Sequence, residues 1–183
     1  MAEPARKPQG YHLPGFAFFI VLPLCLVSTV YGLQWIHESH NVLPAYIPKD
    51  ANKVAMRCLG LATLPMLLFV LIVINFRVTT KAGNTLIDAE SPLMKVQIKT
   101  LSNTAEQTLI FALNLLAYST QSHVTSEKIV LLTASFIAAR LIFWIGYNFF
   151  YFTGITMCRS PGMVMTLGVN FYLLAFNLTG FLS

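Results

Sequence analysis

Long apolar runs separated by short polar segments organise this 183-residue chain. A membrane-crossing helix needs about 20 mostly apolar residues, and five stretches reach or approach that length. The first runs from Phe16 to Ile36 and is interrupted by Pro23 and Gly32. The second runs from Val54 to Phe76 with Pro65 inside it. The third runs from Pro92 to Tyr118, and only its later half is strongly apolar. The fourth covers Ile129 to Phe152 and the fifth Gly162 to Leu182. Ser91-Pro92 and Ser160-Pro161 each place a capping hydroxyl before a proline at the first helical position. Segment 37–53, with Pro44 and Pro48, reads as a polar loop, and 77–91 as the longest connection without strong hydrophobicity.

Composition turns this pattern into a class. The chain is 56% hydrophobic and 10% charged, against roughly 25% charged residues in a soluble domain. An all-α integral membrane protein follows. The net charge of +5 does not point to nucleic acid, because no basic cluster carries interleaved aromatics. Lys and Arg flank the apolar runs instead. Arg6, Lys7, Arg77, Lys81, Lys95, Lys99 and Arg159 fall on one side, and Lys49, Lys53, Arg57 and Lys128 on the other. That bias predicts a cytosolic amino terminus and a carboxyl terminus on the lumenal side. The first run is too long for the apolar region of a signal peptide and reads as an uncleaved signal anchor. Cys25, Cys58 and Cys158 are odd in number and far apart, and form neither a disulfide framework nor a metal motif.

Charged residues inside the apolar runs carry the chemistry. Lys95, Lys99, Asn103 and Glu106 are spaced by four, four and three, which puts them on one helix face. Arg140, Trp144 and Tyr147 share a face of the next helix. Antiparallel packing would bring Arg140 within reach of Glu106, or of Glu106 on a neighbouring chain. A guanidinium keeps its proton and suits carboxylates. The same pair also reads as a buried bridge that only fixes helix register. Arg159 and Ser160 then stand at the start of the fifth run, where free backbone donors favour an anion. Together these groups predict a cationic, hydroxyl-bearing pocket at the cytosolic membrane face, for an anionic ligand meeting an apolar co-substrate from the lipid.

The order and spacing of these residues resembles the MAPEG superfamily, the membrane-associated proteins of eicosanoid and glutathione metabolism. The motif is a basic residue, Asn four on and Glu three further, here Lys99, Asn103 and Glu106. On the next helix comes Arg with Tyr seven on, here Arg140 and Gly146-Tyr147, and then a further Arg, matched by Arg159. The resemblance implies a four-helix transmembrane bundle over 54–183. Residues 1–53 would then hold a cytosolic amino terminus, one additional transmembrane helix and a loop. It implies a homotrimer with glutathione between subunits, contacted by Lys99, Asn103, Glu106, Arg140 and Tyr147. Arg159 and Ser160 would be the catalytic candidates near the sulfur, where a stabilised thiolate is the nucleophile. The additional helix is similar to the five-helix mattrin branch, whose role is described in secretory-organelle trafficking. Lys99 stands where family enzymes often have Arg, and Val96 and Leu101 replace two other commonly polar positions.

Two readings follow. One is a multi-pass protein of the endoplasmic reticulum or another secretory or endolysosomal membrane, binding glutathione, a related anion, a lipid or a membrane-protein partner without defined catalysis. The other is a glutathione-dependent transferase or peroxidase acting on lipophilic electrophiles. A transporter is the third class, disfavoured by a single intramembrane acid and no inverted repeat.

Overall fold

A computed structural model describes residues 16–38, 50–79, 91–153 and 156–182. Every element among them is helical: α1 (Phe16–Glu38), α2 (Ala51–Ala62), α3 (Leu64–Thr79), α4 (Pro92–Ser119), α5 (Ser126–Thr153), a 3-10 turn (Thr156–Arg159) and α6 (Ser160–Leu182). Arg6, Lys7, Lys49 and Lys81, which weigh in the predicted orientation, lie outside the described residues.

The predicted second span is two helices. Pro65 has no N–H to return to the preceding turn, so the ladder breaks just ahead of it. Thr63 covers the break, its N–H donating to the Gly60 and Leu61 carbonyls and its hydroxyl to Gly60 O at 2.7 Å. Asp50 caps α2 by accepting from Lys53 N, and Ser91 caps α4 by accepting from Met94 N with Pro92 following. The second predicted Ser-Pro cap differs. Ser160 is itself the first residue of α6, continuing directly from the 3-10 turn.

Helices α2, α4, α5 and α6 enclose the core. Phe111 of α4 stacks on Phe136 of α5 at 4.2 Å between ring centres, with Leu115, Ile129, Leu132 and Leu173 fully buried around them. Helix α3 continues the α2 line and packs on α4, while α1 packs chiefly on α6 and, among its residues of described burial, buries Leu33 and Ile36. Outward lie Leu67, Leu71, Ile74, Leu109, Leu113, Ile145, Phe149, Phe171 and Leu174, all exposed. A belt of that kind faces lipid, not water. Among the described residues three stretches are long and apolar enough to cross a membrane: Ala51–Thr79, Ser126–Thr153 and Ser160–Leu182. Helix α4 is long but interrupted by Lys95, Gln97, Lys99, Asn103, Glu106 and Gln107.

Buried amides tie α4 to α6. Asn170 Nδ2 donates to Gln107 Oε1 at 3.0 Å, and Asn177 Nδ2 donates to Asn114 O at 3.0 Å. Both pairs step by seven residues on each helix, which is the repeat of two parallel packed helices. In an apolar surrounding such bonds hold helices together where hydrophobicity cannot. The Asn177 side chain is thereby used inside the bundle.

Gly162 sets the α5–α6 crossing. A Cβ there would overlap Phe143 N and come within 2.5 Å of Phe143 Cα and 2.7 Å of Ala139 O, all backbone atoms. Gly162→Ala is expected to lower stability by about 1–3 kcal/mol through overpacking. Gly60→Ala, with nothing near its added carbon, should leave stability unchanged or raise it by about 0.5–1 kcal/mol; thermal unfolding in detergent compares the two. The backbone N–H of Lys53 holds the Asp50 carboxyl below the usual carboxylate range. A depressed folded value means that the cap contributes above the unfolded pKa of about 3.9 and is lost as pH falls through the folded one. Asp50→Ala should therefore remove part of the acid-side dependence of the melting temperature.

Candidate functional site

Arg140 is the largest fully buried side chain described, with no exposed surface. It projects from α5 between α4 and α6. Its Nη2 donates to Asn103 Oδ1 at 2.9 Å and to Thr104 Oγ1 at 2.8 Å, both on α4. Its Nη1 donates to Thr166 Oγ1 of α6 at 3.4 Å, and Cζ lies 4.3 Å from the centre of the Phe143 ring. The Nε–H has no partner among the described residues. All three oxygen acceptors are neutral.

The anticipated bridge from Arg140 to Glu106 within the chain is not formed. Glu106 is exposed on the outer face of α4 and accepts a 3.3 Å hydrogen bond from Ser102. Among the described residues no carboxylate lies within ion-pair distance of Arg140. Trp144 also turns away from the site: its Nε1 donates to Gln97 Oε1 at 2.9 Å and its ring stacks on Phe69 of α3. Gln97 in turn donates to Asn148 Oδ1, closing an amide link between α4 and α5.

Above Arg140, at the end of the bundle where α4 and α6 begin and α5 finishes, lies a cavity of about 380 Å³. Lys99 and Asn103 from α4, Phe143 and Tyr147 from α5, and Arg159, Ser160, Met163, Val164 and Leu167 around the start of α6 form its wall. Five of the seven predicted site residues therefore converge: Lys99, Asn103, Tyr147, Arg159 and Ser160. Arg140 reaches the wall only through Asn103 and Phe143, and Glu106 lies outside it.

The remaining geometry follows from α5. Arg159 Nη1 donates to Tyr147 Oη at 3.3 Å, and its Cζ stands 5.4 Å from the Tyr147 ring centre and 5.7 Å from that of Phe150. The cavity so presents two cations, two hydroxyls and an amide opposite Phe143, Met163, Val164 and Leu167. None of its nine lining residues is acidic. Such a surface sets two cations, Lys99 and Arg159, against an apolar wall, a chemistry suited to an anion that carries an apolar portion.

Sequence reasoning missed Thr104, Thr166, Phe143 and Phe150. Phe143 and Phe150 are spaced from Tyr147 by four and three residues and were legible as neighbours of it on α5. Thr104 and Thr166 are ordinary helical threonines by pattern, and only the packing of three helices reveals them.

A family model described as the MAPEG family matches residues 55–179. No curated protein and no solved structure matches the chain.

Arg140→Met should unsettle the α4–α5–α6 contact, because Asn103, Thr104 and Thr166 lose their shared donor. A loss of about 1–3 kcal/mol is expected for buried acceptors left unpaired, read as a lowered melting temperature in detergent. Arg140→Lys, which keeps the charge but not the fork, should recover only part of it.

Proposed function

The chain belongs to the MAPEG family, matched from α2 into α6, and on that premise we propose that it is a multi-pass membrane protein whose cavity binds an anionic ligand, glutathione foremost. The observation that carries this reading is the convergence of Lys99, Asn103, Tyr147, Arg159 and Ser160 on one cavity. Lys99 and Arg159 would hold carboxylates. Asn103, its Oδ1 already engaged by Arg140, would offer its amide hydrogens. The apolar wall would take lipid chains or a lipophilic co-substrate.

Catalysis is the second reading. Arg159 and Ser160 adjoin the cavity at the first turn of α6, where a cation, a hydroxyl and the positive helix end favour a thiolate over a thiol. Attack of that thiolate on an electrophile arriving from the bilayer would give a transferase or peroxidase. Lys99, as a point charge without a planar fork, supports binding without turnover more than it supports an enzyme.

The outer face of α4 favours a homotrimer. Lys99, Ser102 and Glu106 are exposed there, and charge facing lipid is costly. A second copy of the chain covering this face would remove the cost and would offer Glu106 a partner. In this reading the amino terminus is cytosolic, the carboxyl terminus lumenal, and the membrane that of the endoplasmic reticulum or a later secretory or endolysosomal compartment. Helix α1, outside the matched region, makes the chain similar to the five-helix mattrin branch and leaves room for a membrane-protein partner.

Titration of detergent-purified protein with glutathione tests the main reading. Saturable binding is expected, weakened about tenfold or more by Arg159→Ala, the order expected for a charge-assisted contact. Folded protein that gives no heat at millimolar glutathione rejects it. Conjugation of a standard electrophile, abolished by Arg159→Ala with folding intact, would establish the enzyme. For the assembly, Glu106→Leu should lower the trimer fraction while helical content is retained. A trimer unaffected by the change would remove Glu106 from the interface.

A further inference from the structure

Arg159 is exposed, yet its guanidinium donates to Tyr147 Oη and faces the Tyr147 and Phe150 rings. A surface arginine on a short turn normally samples many rotamers, and ordering it on binding costs affinity. Here backbone lies beneath it, Tyr147 Oη accepts from it and two rings of α5 stand beside it. We propose that Gly146 and Phe150 are positioning residues that hold the Arg159 guanidinium at the cavity. The proposal rests on reading that cavity as an anion site.

The contact under Arg159 is backbone against backbone. A Cβ on Gly146 would overlap the Cys158 carbonyl oxygen and come within 2.7 Å of its carbon and 3.0 Å of Arg159 Cα. No rotamer change relieves a clash with main chain. Any side chain at 146 therefore lifts the 3-10 turn, and Arg159 with it, off α5. Gly162 shares this kind of constraint where α6 crosses α5, whereas Gly32 and Gly60 have open space where their side chains would stand.

Phe150 acts on the guanidinium itself. It lies one turn beyond Gly146, and its ring and that of Tyr147 meet edge to face at 6.3 Å between centres. Phe143 meets Tyr147 in the same way at 5.4 Å. A row of three rings so runs along α5 from the guanidinium of Arg140 to that of Arg159. A cation over such faces is attracted by the ring quadrupoles. Phe150 supplies this without lining the cavity, so its effect on a ligand passes through Arg159.

The full chain in detergent allows a test with and without ligand. In Gly146→Ala, alkylation of Cys158 by N-ethylmaleimide, resolved by peptide mass, should quicken several-fold, while Gly60→Ala matches the parent. In Phe150→Leu, trypsin should cut after Arg159 faster than in the parent. Both variants should weaken glutathione binding by about three- to tenfold, and neither should weaken it further once Arg159→Ala is present. Absence of glutathione binding in the parent would end the anion-site reading, and alkylation and cleavage would still decide the placement of Arg159. Folded Gly146→Ala with parental Cys158 alkylation overturns the proposal. So does Phe150→Leu with parental cleavage after Arg159, or a loss of affinity that persists in the Arg159→Ala background. Should Gly146→Ala fail to fold, the Phe150→Leu cleavage rate decides.

Discussion

A fully buried guanidinium with only neutral partners is the constraint on which the rest of this bundle depends. Arg140 cannot shed its proton and has no exposed surface. Burial on those terms is tolerable only where acceptors are held in place. Asn103 and Thr104 come from α4 and Thr166 from α6, while Phe143 comes from the helix that carries Arg140 itself. Three helices are thus fixed at one level. The amide links of Gln107 with Asn170 and of Asn114 with Asn177 then carry the α4–α6 register down the bundle. Gly162 lets α6 approach α5 closely enough for Thr166, one turn later, to reach the guanidinium.

Neutral partners have an electrostatic consequence that a carboxylate would have removed. Hydrogen bonds from Asn and Thr oxygens solvate the charge of Arg140 without cancelling it. Lys99 and Arg159 stand on the wall of the adjoining cavity, and no acidic residue does. Three positive charges bordering a partly apolar space raise the potential there more than they would in water, because field lines are poorly screened in low dielectric. On the proposed reading, this field would favour an anion as much as any single contact would.

The sequence was informative about which residues come together and less so about how they meet. Apolar run lengths placed the helices to within a few residues, and the Pro65 break was visible as a proline if not as a kink. The convergence of Lys99, Asn103, Tyr147, Arg159 and Ser160 was legible because helical spacing and antiparallel order already constrain it. Glu106 was misplaced for a definable reason. At about 100° per residue, Glu106 falls roughly 20° from Lys99, whereas Thr104 falls about 140° from it. Arg140 approaches α4 on the Asn103–Thr104 side. Opposite charge suggested the partner, and helix rotation selected hydroxyl and amide instead. Periodicity says which residues share a face. It does not say which face the next helix covers, and that is decided by close approach at Gly162 and by the amide pairs.

Helix α1 stands apart from all of this. The family match begins at residue 55, and the helices from α2 onward close their own core around Phe111, Leu115, Leu132, Phe136 and Leu173. Helix α1 adds Leu33 and Ile36 to that core and a close contact of Thr29 with Gly168. Grooves of about 360 Å³ and about 550 Å³ remain on either side of this narrow seam. No residue of α1 lines the cavity of Lys99 and Arg159. Within one chain the charge arrangement of the site is therefore independent of the additional helix. Lys99, Asn103, Tyr147, Arg159 and Ser160 all belong to the region that the family model matches. Helix α1 instead shapes the two grooves on either side of its contact with α6.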